Sequence, residues 1–399
     1  MTYFSRASTA RSNSRMGAFP STAEVVDVVR VLFVTWDGGG NVPPTVLLAE
    51  ELRGRGDTVR FLGQARQRDY FESKGFDFEA VRGSESWNPT VEVSDVVGIA
   101  QFARLITDRR FGSDTLRSIR RRPVDVVIID VLLFGALRTA HRAQLTHAVL
   151  VHTVFDFVVD ATDRRSPLQI VARLSGLRPR RYIRTADLVL VASVAELEQR
   201  TRSRAPARVQ HTGALLPSSA GETALPLSDE PPLVVVSFST TYLRGQDAAY
   251  QRVMNALADL PVQVVVTTGP AVNVASLDPP PNAIVRPYIP HALLLPRASV
   301  LVGHGGHATT VQALASDVPI VFLPQNPIAD QELIATRVEQ LGAGIALDSA
   351  APIPHIAAAV TEMLAPGPHR ESAARLGAAI REAGGAARAA DLVESLAAR

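Results

Sequence analysis

The stretch Leu301-Val302-Gly303-His304-Gly305-Gly306-His307-Ala308-Thr309-Thr310 decides how the rest of this chain is interpreted. An apolar run ends in a glycine-rich turn, and the residues after the turn predict a helix over 307–316. The first N–H groups of a helix have no partner within the helix and carry partial positive charge, so they attract anions. The stretch therefore predicts a strand, a turn and a helix that together form an anion site.

The residues of this turn favour a diphosphate as the anion. Gly305 and Gly306 let a ligand approach the backbone closely, and His304 and Thr309 can add side-chain donors. No lysine follows the glycines, so the turn does not match a P-loop and ATP hydrolysis is not indicated. Taken alone, the same residues are equally compatible with a ligand-free turn whose helix is capped by a threonine.

The composition excludes several classes of protein. The chain has 399 residues, of which 46% are hydrophobic and 20% charged, with no cysteine and a net charge of +2. Without cysteine there is no disulfide, no thiolate nucleophile and no cysteine-bound metal. Arginine replaces lysine almost throughout, Lys74 being the only lysine, and we do not interpret the arginines as a nucleic-acid surface. We expect a cytoplasmic protein with no nucleic-acid partner and no integral association with a membrane.

Alternating apolar runs and helical patterns predict an α/β protein with two parallel-sheet domains. Strands are predicted at 28–35, 58–62, 76–81, 125–129, 147–151 and 187–191, and then at 233–238, 262–267, 299–302 and 319–323. We expect a disordered tail over 1–23, a first domain over 24–213, a linker over 214–232, a second domain over 233–380 and a final helix over 381–399 that could cross back to the first domain. Ligands of such proteins bind in the cleft, at the carboxyl ends of the strands.

Further motifs surround the turn in a fixed order. They are Arg286-Pro287-Tyr288-Ile289-Pro290-His291, Val318-Pro319-Ile320, Ala329-Asp330-Gln331 and Val338-Glu339-Gln340-Leu341-Gly342-Ala343-Gly344, with Gly40-Asn41-Val42-Pro43-Pro44 in the first half. Together with the turn, these motifs resemble the UDP-glycosyltransferase superfamily (glycosyltransferase family 1), and most closely its bacterial macrolide and natural-product branch. The resemblance covers most of the chain after residue 28. It implies the GT-B fold, in which two Rossmann-like parallel-sheet domains face a central cleft.

The resemblance also implies that the second domain binds a nucleotide diphosphate sugar, while the first binds the acceptor. The diphosphate would be contacted by His304, Gly306, Ala308, Thr309, Ser239 and Thr240. The base and ribose would be contacted by Tyr288, His291 and Gln312, and the sugar by Asp330 and Gln331. The alternative for Tyr288 is ordinary packing, and for Asp330 it is the start of a helix.

At its catalytic positions the chain departs from the family. The usual base of the family is a histidine in the loop after the first strand, where this chain has Asn41, and an amide cannot take a proton at physiological pH. The usual aspartate partner corresponds to Asp130, which could act as the base itself or cap a helix. His152 is a second candidate base, although a lone histidine at a strand end is more often structural. A third alternative is an acceptor that needs little base catalysis and is oriented by Asn41.

The resemblance implies an inverting, metal-independent transfer of a sugar from a UDP- or dTDP-sugar to a small, aromatic or polyketide-like acceptor. The nucleotide sugar is a co-substrate, and no cofactor is expected. Phe134, Phe155 and Phe157 could line the acceptor pocket or belong to the core. Two alternatives are a catalytically silent homologue that binds a nucleotide sugar or assists a partner enzyme, and a nucleotide-sugar 2-epimerase. The residues do not decide between a monomer and a homodimer.

Overall fold

The computed structural model of this protein describes residues 28–84, 87–199, 208–217 and 225–399. The tail predicted over 1–23 lies outside these residues, as does the middle of the predicted linker. Within the described chain, a sheet of seven strands is followed by a sheet of six strands. The α/β architecture with two parallel sheets is therefore confirmed.

The first sheet is built from short runs of apolar residues. Its strands are β1 (Arg30–Val34), β2 (Thr58–Gly63), β3 (Asp77–Ala80), β4 (Val126–Asp130), β5 (His147–Val151), β6 (Leu188–Val191) and β7 (Val209–His211). They lie in the order β3-β2-β1-β4-β5-β6-β7, and all neighbours are parallel. The strand order reverses between β1 and β4, and a crevice opens at the carboxyl ends of such a pair.

Among the described residues, eight α-helices connect and cover these strands. They are α1 (Val42–Gly54), α2 (Arg68–Ser73), α3 (Asp95–Thr107), α4 (Arg109–Arg121), α5 (Phe134–Ala143), α6 (Phe155–Ala161), α7 (Pro167–Leu174) and α8 (Pro179–Arg184). Pro43 lies in the first turn of α1, where its missing N–H costs no hydrogen bond. The helices cover both faces of the sheet, which is why β4 and β5 are buried along their whole length.

The second sheet repeats this pattern. Its strands are β8 (Leu233–Ser237), β9 (Gln263–Thr267), β10 (Ala283–Arg286), β11 (Ala298–Gly303), β12 (Ile320–Phe322) and β13 (Gly344–Ala346), in the order β10-β9-β8-β11-β12-β13. β7, β10 and β13 were not predicted from the sequence. Each is only three or four residues long and only partly buried, so its apolar pattern is weak.

The helices of the second half lie on both faces of its sheet. They are α9 (Gln246–Leu257), α10 (His291–Leu294), α11 (His307–Ala315), α12 (Gln331–Gln340), α13 (Ile353–Leu364), α14 (Pro368–Glu382) and α15 (Gly385–Ala397). In the described part of the chain, no helix combines the length and the apolar composition needed to cross a membrane.

The last helix, α15, packs on the first sheet rather than the second. Val393 lies in one apolar cluster with Leu52 of α1, and the Arg55 guanidinium lies 2.6 Å from a carboxylate oxygen of Asp391. The chain therefore crosses between the two halves a second time just before α15. The two crossings are adjacent, because a Cβ added to Gly213 would lie 2.5 Å from the Cβ of Ala383.

A buried tyrosine tests the packing of the second domain. The Tyr250 hydroxyl accepts a hydrogen bond from the Phe238 N–H at 2.9 Å and donates one to the Thr267 carbonyl at 2.8 Å. We expect Tyr250→Phe to lower the free energy of unfolding by about 1–3 kcal/mol, because the Phe238 N–H is left buried without that partner. Urea unfolding followed by circular dichroism measures this change.

Tyr288→Phe is the matched control, because Tyr288 belongs to the same domain and its ring is exposed. Its effect should stay within about 0.5 kcal/mol. Equal losses in the two variants would contradict the role given to the Tyr250 hydroxyl.

Candidate active site

The carboxyl ends of the two sheets meet in a closely packed cleft. The Thr153 hydroxyl, just after β5, donates a short hydrogen bond to the Asp330 carboxylate, just before α12. A Cβ added to Gly39 would lie 2.5 Å from Oγ1 of Thr240. These contacts bring the loops after β1 and β5 against the loops of the second sheet, so residues from both halves share one site.

Asp130, at the end of β4, is the centre of the site on the side of the first sheet. The Asn41 amide donates to Asp130 Oδ2 at 3.0 Å, and His152 Nδ1 lies 3.3 Å from the same oxygen. The Leu132 N–H donates to Oδ1 at 2.9 Å. Asp130 is only 3% exposed, so its carboxylate is held by neighbours from three different loops.

In the Asp130–His152 pair, each side chain favours the charged form of the other. Burial tends to raise the pKa of Asp130, but His152 and the donated hydrogen bonds outweigh burial and lower it, so the carboxylate stays ionised. Burial tends to lower the pKa of His152, but the Asp130 charge outweighs it and raises that pKa. An imidazole made more basic in this way can accept a proton from a substrate.

Asn41 supports Asp130. Its Oδ1 accepts from the Gly38 N–H at 3.0 Å, and its Nδ2 donates to the Trp36 carbonyl as well as to Asp130. Both N–H groups of the amide are therefore used within the protein, and the residue is 1% exposed. The expectation that Asn41 could orient an acceptor stays a prediction, and the amide oxygen, which has a second lone pair, is the group that could do so.

An apolar pocket lies beside His152. The cavity is narrow, with a volume of about 20 Å³, and it is lined by Val131, Leu132, Phe134, His152, Thr153, Phe157, Val158, Ala161, Thr162 and Leu168. Phe134 and Phe157 therefore face this pocket, whereas Phe155 packs against the core of the first sheet. The histidine that pairs with Asp130 is thus part of the wall of an apolar cavity.

The anion site on the side of the second sheet has the predicted backbone. Gly305 has φ +89°, and a Cβ there would lie 2.6 Å from the Gln331 carbonyl, so only glycine fits. Gly306 precedes α11, which has no side-chain cap, so the first N–H groups of α11 are not occupied by a side chain. Ala308 and Thr309 lie half-buried in that first turn.

His304 lies buried between the end of β11 and this helix. Its Nδ1 is buried and has no hydrogen-bond partner within the described residues. Burial lowers its pKa to about 4, so the ring is neutral at physiological pH. The nitrogen next to the helix N-terminus is Nε2, which would lie 2.5 Å from a Cβ added to Gly306. A neutral ring with its proton on Nε2 can donate a hydrogen bond to a phosphate there without adding charge.

His307, the first residue of α11, was not singled out from the sequence as a site residue. It is 7% exposed, and its Nε2 has no partner within the described chain. Burial, and secondarily the charge of His152, lowers its pKa to about 3. His307 therefore lies near the Asp130–His152 pair. The position of His307 inside the motif 303–310 could have identified it as a site residue. Its proximity to His152, which follows β5, could not be predicted from that motif.

The remaining diphosphate candidates lie after β8. Ser239 Oγ accepts from the Thr241 N–H at 3.0 Å, which shapes the loop. Thr240 is exposed and lies against Gly39 and Gly269. Thr240 therefore stands where the two halves of the cleft approach each other.

The residues expected to contact the base and ribose lie at one edge of the second sheet. Tyr288 is 76% exposed, so its ring does not pack in the core and can stack on a ligand. His291 Nε2 lies 3.2 Å from Thr267 Oγ1, and burial lowers its pKa to about 4. The Gln312 amide donates to the Ala308 carbonyl within α11, so that N–H group is already engaged.

Asp330 and Gln331 differ in what they contact. Asp330 bonds Thr153 across the cleft and gives α12 no side-chain cap, and burial raises its pKa. Gln331 Oε1 accepts from the Gln325 and Asn326 N–H groups at 2.7 and 2.9 Å. Asp330 thus faces the first domain, whereas the Gln331 carbonyl oxygen holds the loop after β12. Among the described residues, no group of three histidine or acidic side chains is arranged to hold a metal ion.

Two parallel α/β domains whose strand ends meet across a cleft, with a glycine-rich helix N-terminus in the second, define the GT-B class of folds. Comparison with solved structures agrees. The glycotransferase of kitacinnamycin has a TM-score of 0.76 at 23% identity, covering 93% of this chain and 99% of that chain. The glycosyltransferase VinC, solved in complex with dTDP, has a TM-score of 0.71 at 20% identity, covering 93% and 100%. The predicted GT-B fold is therefore confirmed.

Sequence comparison finds relatives for part of the chain. The family model for the C-terminal domain of erythromycin biosynthesis protein CIII-like proteins matches residues 251–394. A PGL/p-HBAD biosynthesis rhamnosyltransferase of Mycobacterium bovis (strain BCG / Pasteur 1173P2) is 33% identical over 219 residues, which are 53% of this chain and 47% of that relative. The aligned part thus spans about half the length of this curated relative. Residues 251–394, which hold the motifs at 286–344, are thus similar to proteins of erythromycin biosynthesis, and about half of the chain is similar to a rhamnosyltransferase.

Proposed function

We propose that this protein is an inverting, metal-independent glycosyltransferase that moves a sugar from a UDP- or dTDP-sugar to a small apolar acceptor. The observation that carries the proposal is the position of the Asp130–His152 pair. His152 Nδ1 lies 3.3 Å from Asp130 Oδ2, and His152 lines the apolar pocket. The charge of His152 also interacts with Asp330 and His307, which belong to the second domain. The pair therefore stands between an acceptor pocket and a donor site.

The proposed reaction is one displacement at the anomeric carbon. His152 accepts the proton of the acceptor hydroxyl through Nε2, while Nδ1 faces Asp130. The acceptor oxygen forms the new bond to the anomeric carbon as the bond from that carbon to the phosphate oxygen breaks. The electron pair of the broken bond leaves with the nucleoside diphosphate, whose charge is stabilised by the N-terminus of α11 and by His304.

In this proposal the family's base is relocated rather than lost. The aspartate remains at the end of β4, Asn41 donates to it, and the imidazole comes from the end of β5. A dyad of this kind needs neither a metal ion nor a cofactor, since the nucleotide sugar brings the leaving group. The apolar walls of the pocket favour an aromatic or polyketide-like acceptor, and the cavity of about 20 Å³ has to widen to admit one.

The test is a transfer assay with UDP- and dTDP-sugars against a panel of phenolic and polyketide acceptors. The expected result is release of nucleoside diphosphate together with an acceptor whose mass has increased by one sugar, and inversion at the anomeric carbon in its NMR spectrum. Nucleotide binding without transfer to any acceptor would favour the silent homologue. An epimerised free nucleotide sugar, formed without acceptor, would favour the 2-epimerase.

The pH dependence gives a specific prediction for the dyad. Only neutral His152 can act as the base, and Asp130 raises its pKa above its ordinary value of 6.5. We therefore expect kcat/KM to rise with pH and to level off above that raised pKa. Asp130→Asn removes the raising charge, so the rising part of the profile should move to lower pH while the plateau falls. A profile that keeps its midpoint in Asp130→Asn would show that another group titrates.

A further inference from the structure

The surface formed by α3, α7 and the segments flanking α7 combines exposed apolar side chains with exposed arginines. Its apolar members are Val96, Val97, Ile99, Ile170 and Leu174, and its basic members are Arg164, Arg165, Arg173, Arg178 and Arg180. We call these ten residues the α3–α7 surface. α3 and α7 pack against each other, so both belong to one face of the first domain.

The apolar members protrude instead of packing. Leu174 is 85% exposed and Val96 is 77% exposed, although both helices bury other apolar residues in the core. Single exposed apolar side chains are ordinary, but five on two adjoining helices are not explained by the fold of this domain. Burying these side chains requires an apolar environment that can surround each of them separately.

The charge of α7 and its flanking segments is mostly positive, whereas α3 adds the exposed Asp95 beside Val96. Between Phe155 and Arg184 the chain carries seven arginines and three aspartates, with no glutamate and no lysine. Within the described residues, none of the five arginines of the α3–α7 surface forms an ion pair. A surface with exposed apolar side chains and arginines complements a lipid bilayer with anionic headgroups and an apolar interior.

We propose that the α3–α7 surface docks the protein on an anionic lipid bilayer. Leu174 and Val96 insert below the headgroups, and the arginines bind the headgroup phosphates. Lipid acyl chains are fluid and can surround each exposed side chain, whereas a folded protein partner would need a matching cavity for each one. The association is peripheral, through one face of the first domain.

The position of the pocket agrees with this docking. Leu168 of α7 lines the apolar pocket beside His152, while Ile170 and Leu174 of the same helix lie on the surface. An apolar acceptor dissolved in the bilayer would therefore meet the protein next to its pocket. This last link rests on the proposed function, but the docking itself does not.

The test is cosedimentation of the full chain with vesicles of phosphatidylcholine alone and of phosphatidylcholine with phosphatidylglycerol. We expect binding to the vesicles with phosphatidylglycerol, weakened by added salt. Leu174→Ser should lower the partition coefficient about tenfold, because one leucine no longer inserts. Arg173→Gln should lower it about fivefold.

Ile353→Ser is the matched control, since Ile353 is an exposed isoleucine of the second domain, and it should bind vesicles like the native protein. The proposal is overturned if the native protein does not bind vesicles with phosphatidylglycerol, or if Leu174→Ser binds them equally well. A dimer in sedimentation velocity that Leu174→Ser dissociates, with no vesicle binding, would assign the surface to a second copy instead. None of these measurements requires sugar transfer, so failure of the proposed reaction would not affect them.

Discussion

His152→Ala is expected to lower kcat/KM for sugar transfer by about 10²- to 10⁴-fold, the usual contribution of a positioned general base. The physical reason is that the Asp130–His152 pair supplies the proton acceptor for the acceptor hydroxyl, and alanine leaves Asp130 without an imidazole to support. The measurement is steady-state transfer at saturating nucleotide sugar. Nucleotide binding should be unchanged, because His152 lies on the side of the first sheet.

Two further variants make this result specific. His355→Ala removes an exposed histidine at the start of α13 and should leave kcat/KM unchanged. Asn41→Ala should reduce kcat/KM less than His152→Ala, because Asn41 supports the base by donating to Asp130. Full activity of His152→Ala with a native circular dichroism spectrum would mean that the acceptor needs no base from this residue.

His304→Ala is expected to weaken binding of UDP or dTDP by about 10- to 100-fold, matching the approximate 1.5–3 kcal/mol of a hydrogen bond to a charged group. The ring is neutral and buried, and its Nε2 lies next to Gly306, where it can donate to a phosphate at the N-terminus of α11. Isothermal titration with both nucleotides measures the loss and also shows which base is preferred.

His304→Gln provides the conservative comparison, because its amide N–H can partly replace the ring donor. It should bind more tightly than His304→Ala, and His355→Ala should bind like the native protein. Unchanged affinity in His304→Ala would place the diphosphate elsewhere, and absence of nucleotide binding by the native protein would favour a homologue that has lost the donor site.

The sequence predicted the elements that have strong local patterns. The apolar run and the glycine-rich turn around His304 identified β11 and the start of α11, because glycine spacing and helix initiation are local properties. The short strands β7 and β10 escaped prediction, since three or four partly buried residues produce no clear period.

Contacts between distant segments could not be predicted in the same way. Asn41, Asp130 and His152 were each identified as candidates, but their shared contact at one carboxylate oxygen depends on how three loops meet at the sheet edge. The same holds for the bond from Thr153 to Asp330, which joins residues 177 positions apart. The hydrogen bonds that tie the Asn41 amide to Asp130, Trp36 and Gly38 were not predictable for the same reason.

The two adjacent crossings near Gly213 and Ala383 have a consequence for catalysis. We expect a nucleotide sugar to enter between the two halves, which requires them to swing apart and the contact of Thr153 with Asp330 to open. Because α15 anchors the chain's end on the first domain, such a swing must bend both crossings together, as a paired hinge. The free energy needed to bend this hinge lowers the observed affinity for the donor. A stiffer backbone at Gly213 would therefore weaken donor binding.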